Sequence, residues 1–291
     1  MGWLFVAPAL VHLLVFALLP ILVALVISLY KWQLFKPSGE FVALDNYLHS
    51  FAEPPFWNAL WNSFRYTLAA VPIGMAVALV VALLVNQKLR GVTIFRTLFY
   101  IPAISSGVAI AMIWIYIFLP ETGLINSMLA SIGIGSVDFL NRAEWAMWAL
   151  VFMSIWIGLG PKMVLFLAGL IGIPQSLYEA AELDGAGKWR SFWSITLPML
   201  VPTTFFVMVT STIGAMQVFT PVYMMTKGGP GDEQGNMTTD VVGFHIYSEA
   251  WVNFNTGLAS AKSFVLLVAI AAISYFQFRM MKSRMEGYSA E

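Results

Sequence analysis

The sequence predicts an all-α polytopic membrane protein with about six transmembrane helices, and three observations predict it. Hydrophobic residues fill 59% of the 291 positions and charged residues 10%, against roughly 25% charged in a soluble domain. Mean hydropathy is +0.80. The apolar residues gather in runs long enough for a bilayer core, which takes about 20 residues per helix. Hydrocarbon offers the backbone no hydrogen-bond partners, so such runs must be helical, and they lack the alternation of a membrane barrel.

The runs place spans near residues 4–29, 64–85, 98–118, 146–171, 199–224 and 261–281. The first starts at "MGWLFVAPAL", has no basic segment before it and continues to Tyr30. It is too long for a signal sequence and reads as a retained helix. No repeat, low-complexity tract or long linker divides the chain, so residues 1–291 are read as one domain. An even number of spans puts both termini on one side. Segments 86–97, 172–198 and 282–291 hold Lys88, Arg90, Arg96, Lys188, Arg190, Lys282 and Arg284, with Arg279 at a span edge. The opposite loops hold Lys31, Lys36, Arg142 and Lys227, with Arg65 and Lys262 at span edges. Basic residues favour the cytoplasmic side, so both termini are expected there and the longer loops 30–63, 119–145 and 225–260 outside.

Several function classes fall away. Fifteen basic and fifteen acidic residues balance, giving no electrostatic footprint for nucleic acid. The absence of Cys removes thiolate metal sites and Cys nucleophiles. His12, His49 and His245 are scattered, and neither H-E-x-x-H nor a Ser/His/Asp grouping exists. His12, alone in span one, reads as packed or interfacial. No enzyme activity, metal or cofactor is expected in this chain.

Between spans four and five runs "YEAAELDGAGKWRSFWSITLP", residues 178–198. Pro174 suits a first helical position and Gly185 a helix end, giving a helix of roughly ten residues, ~15 Å. Gln175, Glu179, Glu182 and Ala186 share one face, and Gly185 with Ala186 would let another backbone approach closely. Composition leaves open whether this helix docks in a groove or lies solvated on the membrane surface.

The run Glu179-Ala180-Ala181, Asp184-Gly185-Ala186, Phe192, Ile195, Leu197-Pro198 and Pro202 resembles the EAA loop of permease subunits from binding-protein-dependent ABC importers. "FVALDNYLHSFAEPPFWNALWNSFRYT", "FRTLFYIPAISSGVAIAMIW", "MVLFLAGLIGIPQSLYEAAELDGAG" and "MTKGGPG" are similar to the carbohydrate-uptake branch, of the maltose and glycerol-phosphate type. The resemblance covers nearly the whole chain. It implies that the coupling loop 174–198 enters a groove on a cytoplasmic ATPase, with Glu179, Ala180, Ala181, Asp184, Gly185 and Ala186 at the contact. Pro198 and Pro202 would give the loop a defined exit angle. Since "GAGKW" lacks the spacing and hydroxyl of a phosphate-binding loop, ATP and Mg are expected on the ATPase. The implied partners are a homologous second permease, two ATPase copies, an extracytoplasmic binding protein, membrane lipid and a sugar or oligosaccharide substrate. The implied location is a bacterial or archaeal cytoplasmic membrane. The family's basic N-terminal tail has no counterpart here, so it is expected to be trimmed or lacking. The loop "MTKGGPGDEQGNMTTD", flexible by composition, would meet the binding protein.

Within the membrane, Lys162 in "GLGPKMVLFLAG" is too deep for its stem to reach the surface. It needs a partner, a cavity or a neutral amine, and an ion pair with the sister permease would serve as well as an acidic substrate. Gly158, Gly160 and Pro161 open room beside it. Ser211, Gly214 and Val218 share a face of span five with Gln217 beside it, lining a polar cavity or bonding neighbouring helices. Gly158, Pro161, Lys162, Ser211, Gly214 and Gln217 are therefore the expected substrate pathway. An acidic or phosphorylated sugar is the alternative cargo. An ion-coupled secondary transporter is the alternative machinery, against which stands the absence of Asp and Glu from all six spans. Trp57, Trp61 and Trp251 fit an interfacial aromatic belt.

Overall fold

The structure, a computed structural model, describes residues 2–87 and 91–286. Lys88 and Arg90, two of the expected cytoplasmic cations, lie outside the described residues. Helix α1 (Gly2–Leu13) continues through a π-helical turn at Leu14–Leu18 into α2 (Leu19–Ser28). Among their described residues Ser28 alone is buried, so this first span turns its apolar surface outward. Asn46 ends it by donating to the carbonyls of Ser28 (2.7 Å) and Tyr30 (2.9 Å). A hairpin of β1 (Tyr30–Gln33) and β2 (Lys36–Phe41) follows, with Tyr30 opposite Phe41. Next comes α3 (Asp45–Ala52).

The centre of the bundle is α4 (Pro54–Val85) against α8 (Ala143–Ile171). Ala70, Gly74, Ala78 and Ala82 recur every fourth residue on α4 and are buried. This stripe lets the α8 backbone approach, the packing that substitutes for the hydrophobic effect between helices in lipid. Met163, Phe166, Leu167 and Leu170 of α8 form a buried cluster with Ala78, Ala82 and Val85 of α4. Arg96 donates to the Val85 carbonyl at 3.0 Å, capping the end of α4 where the helix dipole favours a cation.

Two expected straight spans are bent. Residues 98–118 do not form one helix: α5 (Val92–Ile104) and α6 (Gly107–Ile117) meet at 101°. Ser105 is extended, and its hydroxyl takes the Ile101 carbonyl at 2.9 Å, a group that helical continuation would have required. At 13 and 11 residues neither piece reaches the roughly 20 needed to cross alone. Span five begins earlier than 199. It runs from α10 (Lys188–Ser191) through a π-helical turn at Phe192–Thr196 to α11 (Leu197–Met199), then bends 63° into α12 (Val201–Met216). Pro202 supplies no N–H to the carbonyl four residues back, at Pro198, so the bend at Leu200 has an identifiable cause. Met216 ends α12 short of 224, and Val222–Thr226 form a separate π-helical turn. Span two also starts earlier than 64, at Pro54, and the last helix, α14, covers Thr256–Glu286. The short helices α7 (Leu124–Ser131), α9 (Gln175–Leu183) and α13 (Val242–Tyr247) lie in the connections.

The 225–240 loop is not free. Asn58 and Asn62 on α4 donate to the Met237 carbonyl, both at 2.8 Å, Asn62 also reaches the Asp240 carbonyl, and Ser63 accepts from the Val242 amide at 2.9 Å. Asp232 closes the tip by accepting from the amides of Gln234 and Asn236, which hold its carboxyl below the usual carboxylate range despite the opposing effect of desolvation. Trp57, Trp61 and Trp251 are all exposed at the end where α4 and α14 begin.

Gly160 packs so closely on α5 that an added Cβ would collide with the Phe99 carbonyl oxygen, whereas one on Gly214 meets nothing within 4 Å. Gly160→Ala should therefore destabilise the detergent-purified chain by about 1–3 kcal/mol through overpacking, and Gly214→Ala should not. Thermal unfolding of the two variants side by side checks this, and equal midpoints would refute the close α5–α8 contact.

Candidate functional site

The EAA segment folds as a short helix with a built terminus. Pro174 is extended and precedes α9 rather than opening it, because its ψ of 130 lies outside the helical region. At the other end Gly185 adopts φ +74. Its amide donates to the Glu182 carbonyl (3.0 Å) and the Ala186 amide to the Ala181 carbonyl (2.8 Å), the pair of bonds that defines a Schellman cap. The glycine at this turn thus has a mechanical reason, since L residues strain at that φ. None of the nine residues of α9 is buried. Glu179, Ala180, Asp184 and Gly185 are exposed, with Ala181 and Ala186 half-buried. Leu183 is 90% exposed and Trp189 74%. Tyr178 anchors the helix: its hydroxyl meets the Thr196 hydroxyl at 2.9 Å, and its ring packs on the core shared by α4 and α8. A groove of about 420 Å³ opens between α9 and α10, lined by Tyr178, Glu182, Ala186, Lys188 and Phe192.

A second space lies inside the bundle. It has a volume of about 400 Å³ and is bounded by Tyr66, Ala70 and Val71 of α4, Met153, Ser154, Gly158 and Lys162 of α8, and Ser211, Gly214 and Ala215 of α12, with Gly107 opening α6. Four of the six expected pathway residues, Gly158, Lys162, Ser211 and Gly214, come together here. Pro161 and Gln217 do not line it. Pro161 is one position off the face that carries 154, 158 and 162, and Gln217 lies beyond the end of α12, exposed. Gly160, expected to open room for Lys162, instead meets the α5 backbone. Sequence reasoning missed Tyr66, Ser154, Gly107 and Thr220. A four-residue period would have shown two of them, since Tyr66–Ala70–Gly74 and Ser154–Gly158–Lys162 are facing stripes, joined where the Tyr66 hydroxyl donates to Ser154. Interhelical polar bonding on α12 falls to Thr212, which accepts from Gln277 of α14 at 2.9 Å.

Residues 70–286 match the family described as the binding-protein-dependent transport system inner membrane component. The chain belongs to this family. A probable ABC transporter permease, YesP of Bacillus subtilis, is 36% identical over 281 residues, 96% of this chain and 89% of its own. The lactose transport system permease LacF of Rhizobium radiobacter is 35% identical over 288 residues, 97% of this chain and 94% of its own. Among solved structures, a bacterial ABC transporter involved in import of the acidic polysaccharide alginate superposes with a TM-score of 0.81 at 25% identity, covering 97% of this chain and 96% of that one.

The permease also holds a polar cluster that its sequence did not reveal. Lys262, expected at a span edge, is fully buried and meets Glu53 at 2.7 Å and Glu249 at 3.2 Å. Its ammonium also lies 3.2 Å from His245 Nε2, while His245 Nδ1 lies 2.9 Å from Asp240. An ammonium only donates, so Nε2 accepts and Nδ1–H donates to the carboxylate. This cluster ties the starts of α4 and α14 to α13. Burial by itself would raise the Glu249 carboxyl, but donation from Asn255, the Lys262 charge and Asn253 together hold it below the usual carboxylate range. A depressed carboxyl contributes stability that is complete above the unfolded value, about 4.3, and is lost as pH falls through the folded one. Acidification below pH 4 should therefore loosen this end first, seen as faster hydrogen exchange in residues 242–262. Lys262→Met, which leaves two carboxylates without their cation, should cost about 3–5 kcal/mol at neutral pH. A wild-type melting temperature in that variant would mean the pairing contributes nothing.

Proposed function

We propose that this chain is the membrane-spanning permease of an ATP-driven importer that carries a sugar or oligosaccharide from a binding protein across a bacterial or archaeal cytoplasmic membrane, with both termini in the cytoplasm. One observation carries the reading. The exposed, Schellman-capped helix α9 is the direct connection between α8 and the α10–α12 unit, and both of these line the internal cavity. A push on α9 is transmitted through Tyr178 and Thr196 to the start of the bent fifth span, so displacement at the cytoplasmic surface changes the walls of the cavity. The carbohydrate class is supported by relatives named for lactose, glycerol 3-phosphate and arabinooligosaccharide transport, and by the fold shared with the alginate importer.

In this reading ATP and Mg bind two copies of a partner ATPase, whose groove receives Glu179, Ala180, Ala181, Asp184, Gly185 and Ala186. Leu183 and Trp189, large apolar side chains left open to solvent, are natural contacts for that partner, because exposed apolar patches of this kind mark interaction sites. A homologous permease covers the outward apolar surface on one side and lipid the remainder. The loop pinned to α4 by Asn58 and Asn62 faces the binding protein. Its anchoring presents a fixed surface, which lowers the ordering cost of association.

The test is purification of the whole complex and measurement of ATP hydrolysis with a panel of sugars added through the binding protein. A cognate sugar should raise the rate several-fold. Gly185→Val places a β-branched residue at φ +74, a strain of roughly 1–2 kcal/mol or more. The variant should still insert in the membrane but no longer retain the ATPase on purification. Retention of the ATPase and full transport by Gly185→Val would remove α9 from the contact.

A further inference from the structure

The bundle contains two deep lysines and treats them differently. Lys262 is enclosed by Glu53 and Glu249. Lys162 forms no ion pair among the described residues, and it faces the cavity. Its position is built by its neighbours. A Cβ on Gly74 of α4 would lie 3.0 Å from the Lys162 Nζ, and one on Gly158 of α8 would lie 3.1 Å away. Two glycines on two helices therefore leave space for this ammonium. Among the described residues that line the cavity Lys162 is the one charge, and the others supply the hydroxyls of Tyr66, Ser154, Ser211 and Thr220 and apolar surface.

An isolated charge in an apolar setting is expensive unless a counter-charge arrives, and an ionisable group inside a membrane bundle marks a pathway by default. The volume of about 400 Å³ lies within the range of small-molecule sites, roughly 300–1,000 Å³. Hydroxyls together with a cation suit a ligand that bears both hydroxyl groups and an anionic oxygen group. We propose that Lys162 is a specificity-determining residue that receives the carboxylate or phosphate of the cargo as it crosses, so that the substrate is an acidic sugar. This rests on the import reading above and narrows it.

The experiment uses the complete complex in proteoliposomes and three probes: a galacturonate disaccharide, a hexose phosphate and lactose. The wild type should take up one of the two acidic probes in preference to lactose, and which one tells carboxylate from phosphate. Lys162→Met should raise the KM for that probe at least tenfold while the subunits still co-purify, and Lys162→Arg should restore most of the preference. A merely structural lysine would not change the ratio of acidic to neutral uptake. Uptake of lactose alone would overturn the proposal and leave the importer reading standing. Dissociation of the Lys162→Met complex would assign the charge to an ion pair with the sister subunit, which also overturns it. Failure of all three probes together with absence of a bound ATPase would overturn both readings.

Discussion

Close packing of α4 on α8 is the constraint on which the remaining architecture depends. In a bilayer the apolar side chains gain nothing by leaving lipid for one another, so association must come from contact density and interhelical hydrogen bonds. The stripe Ala70–Gly74–Ala78–Ala82 supplies the first. Toward Val85 it is filled by Phe166, Leu167 and Leu170 into a continuous core. Toward the starts of both helices the facing positions become Gly74, Gly158 and Ser154, where the helices stay close but the side chains are too small to fill the space. The cavity is the consequence of small residues continuing past the point where large ones stop.

Around this pair, two spans are broken by bends of 101° and 63°. A broken helix is tolerated at membrane depth when it is buried in protein or lines a cavity. At the break between α5 and α6, Gly107 opens on the cavity and α5 lies tight against Gly160, while Ile104, Ser105 and Ser106 are exposed on this chain's surface. Gly169 gives a similar close contact to Thr203 and Leu200, at the bend before α12. Three glycines of α8 thus act separately, two admitting neighbouring backbone or side chains and Gly158 admitting an ammonium.

The two lysines show how one physical rule gives two outcomes. Each must be compensated, and Lys262 receives two carboxylates and an imidazole from three different segments. That cluster fixes the end of the bundle from which the pinned 225–240 loop projects. Lys162 lies one helical face away from the filled core, against glycine on both sides. Fixed compensation makes the first a fastening, and the lack of an ion pair among the described residues leaves the second facing the cavity.

Local rules made much of this legible from the sequence. Length and apolarity determined the membrane class and the approximate positions of the long apolar helices, because insertion depends on the hydrophobicity of a single segment. Gly185 as a helix end was legible because its φ is a property of one residue. Four of the residues lining the cavity were legible because Gly158, Lys162, Ser211 and Gly214 stand out against apolar neighbours. What stayed hidden depends on residues far apart in the chain. Nothing in 30–63 announces that Glu53 will meet Lys262, 209 positions later, so a lysine that ends fully buried read as a span-edge cation. The 101° break was hidden because apolar residues flank Ser105 and Ser106 on both sides, so the run reads as one span. Only the tertiary structure decided which cation is paired and where the cavity lies, because charge compensation and unfilled volume are properties of several segments packed together and of none alone.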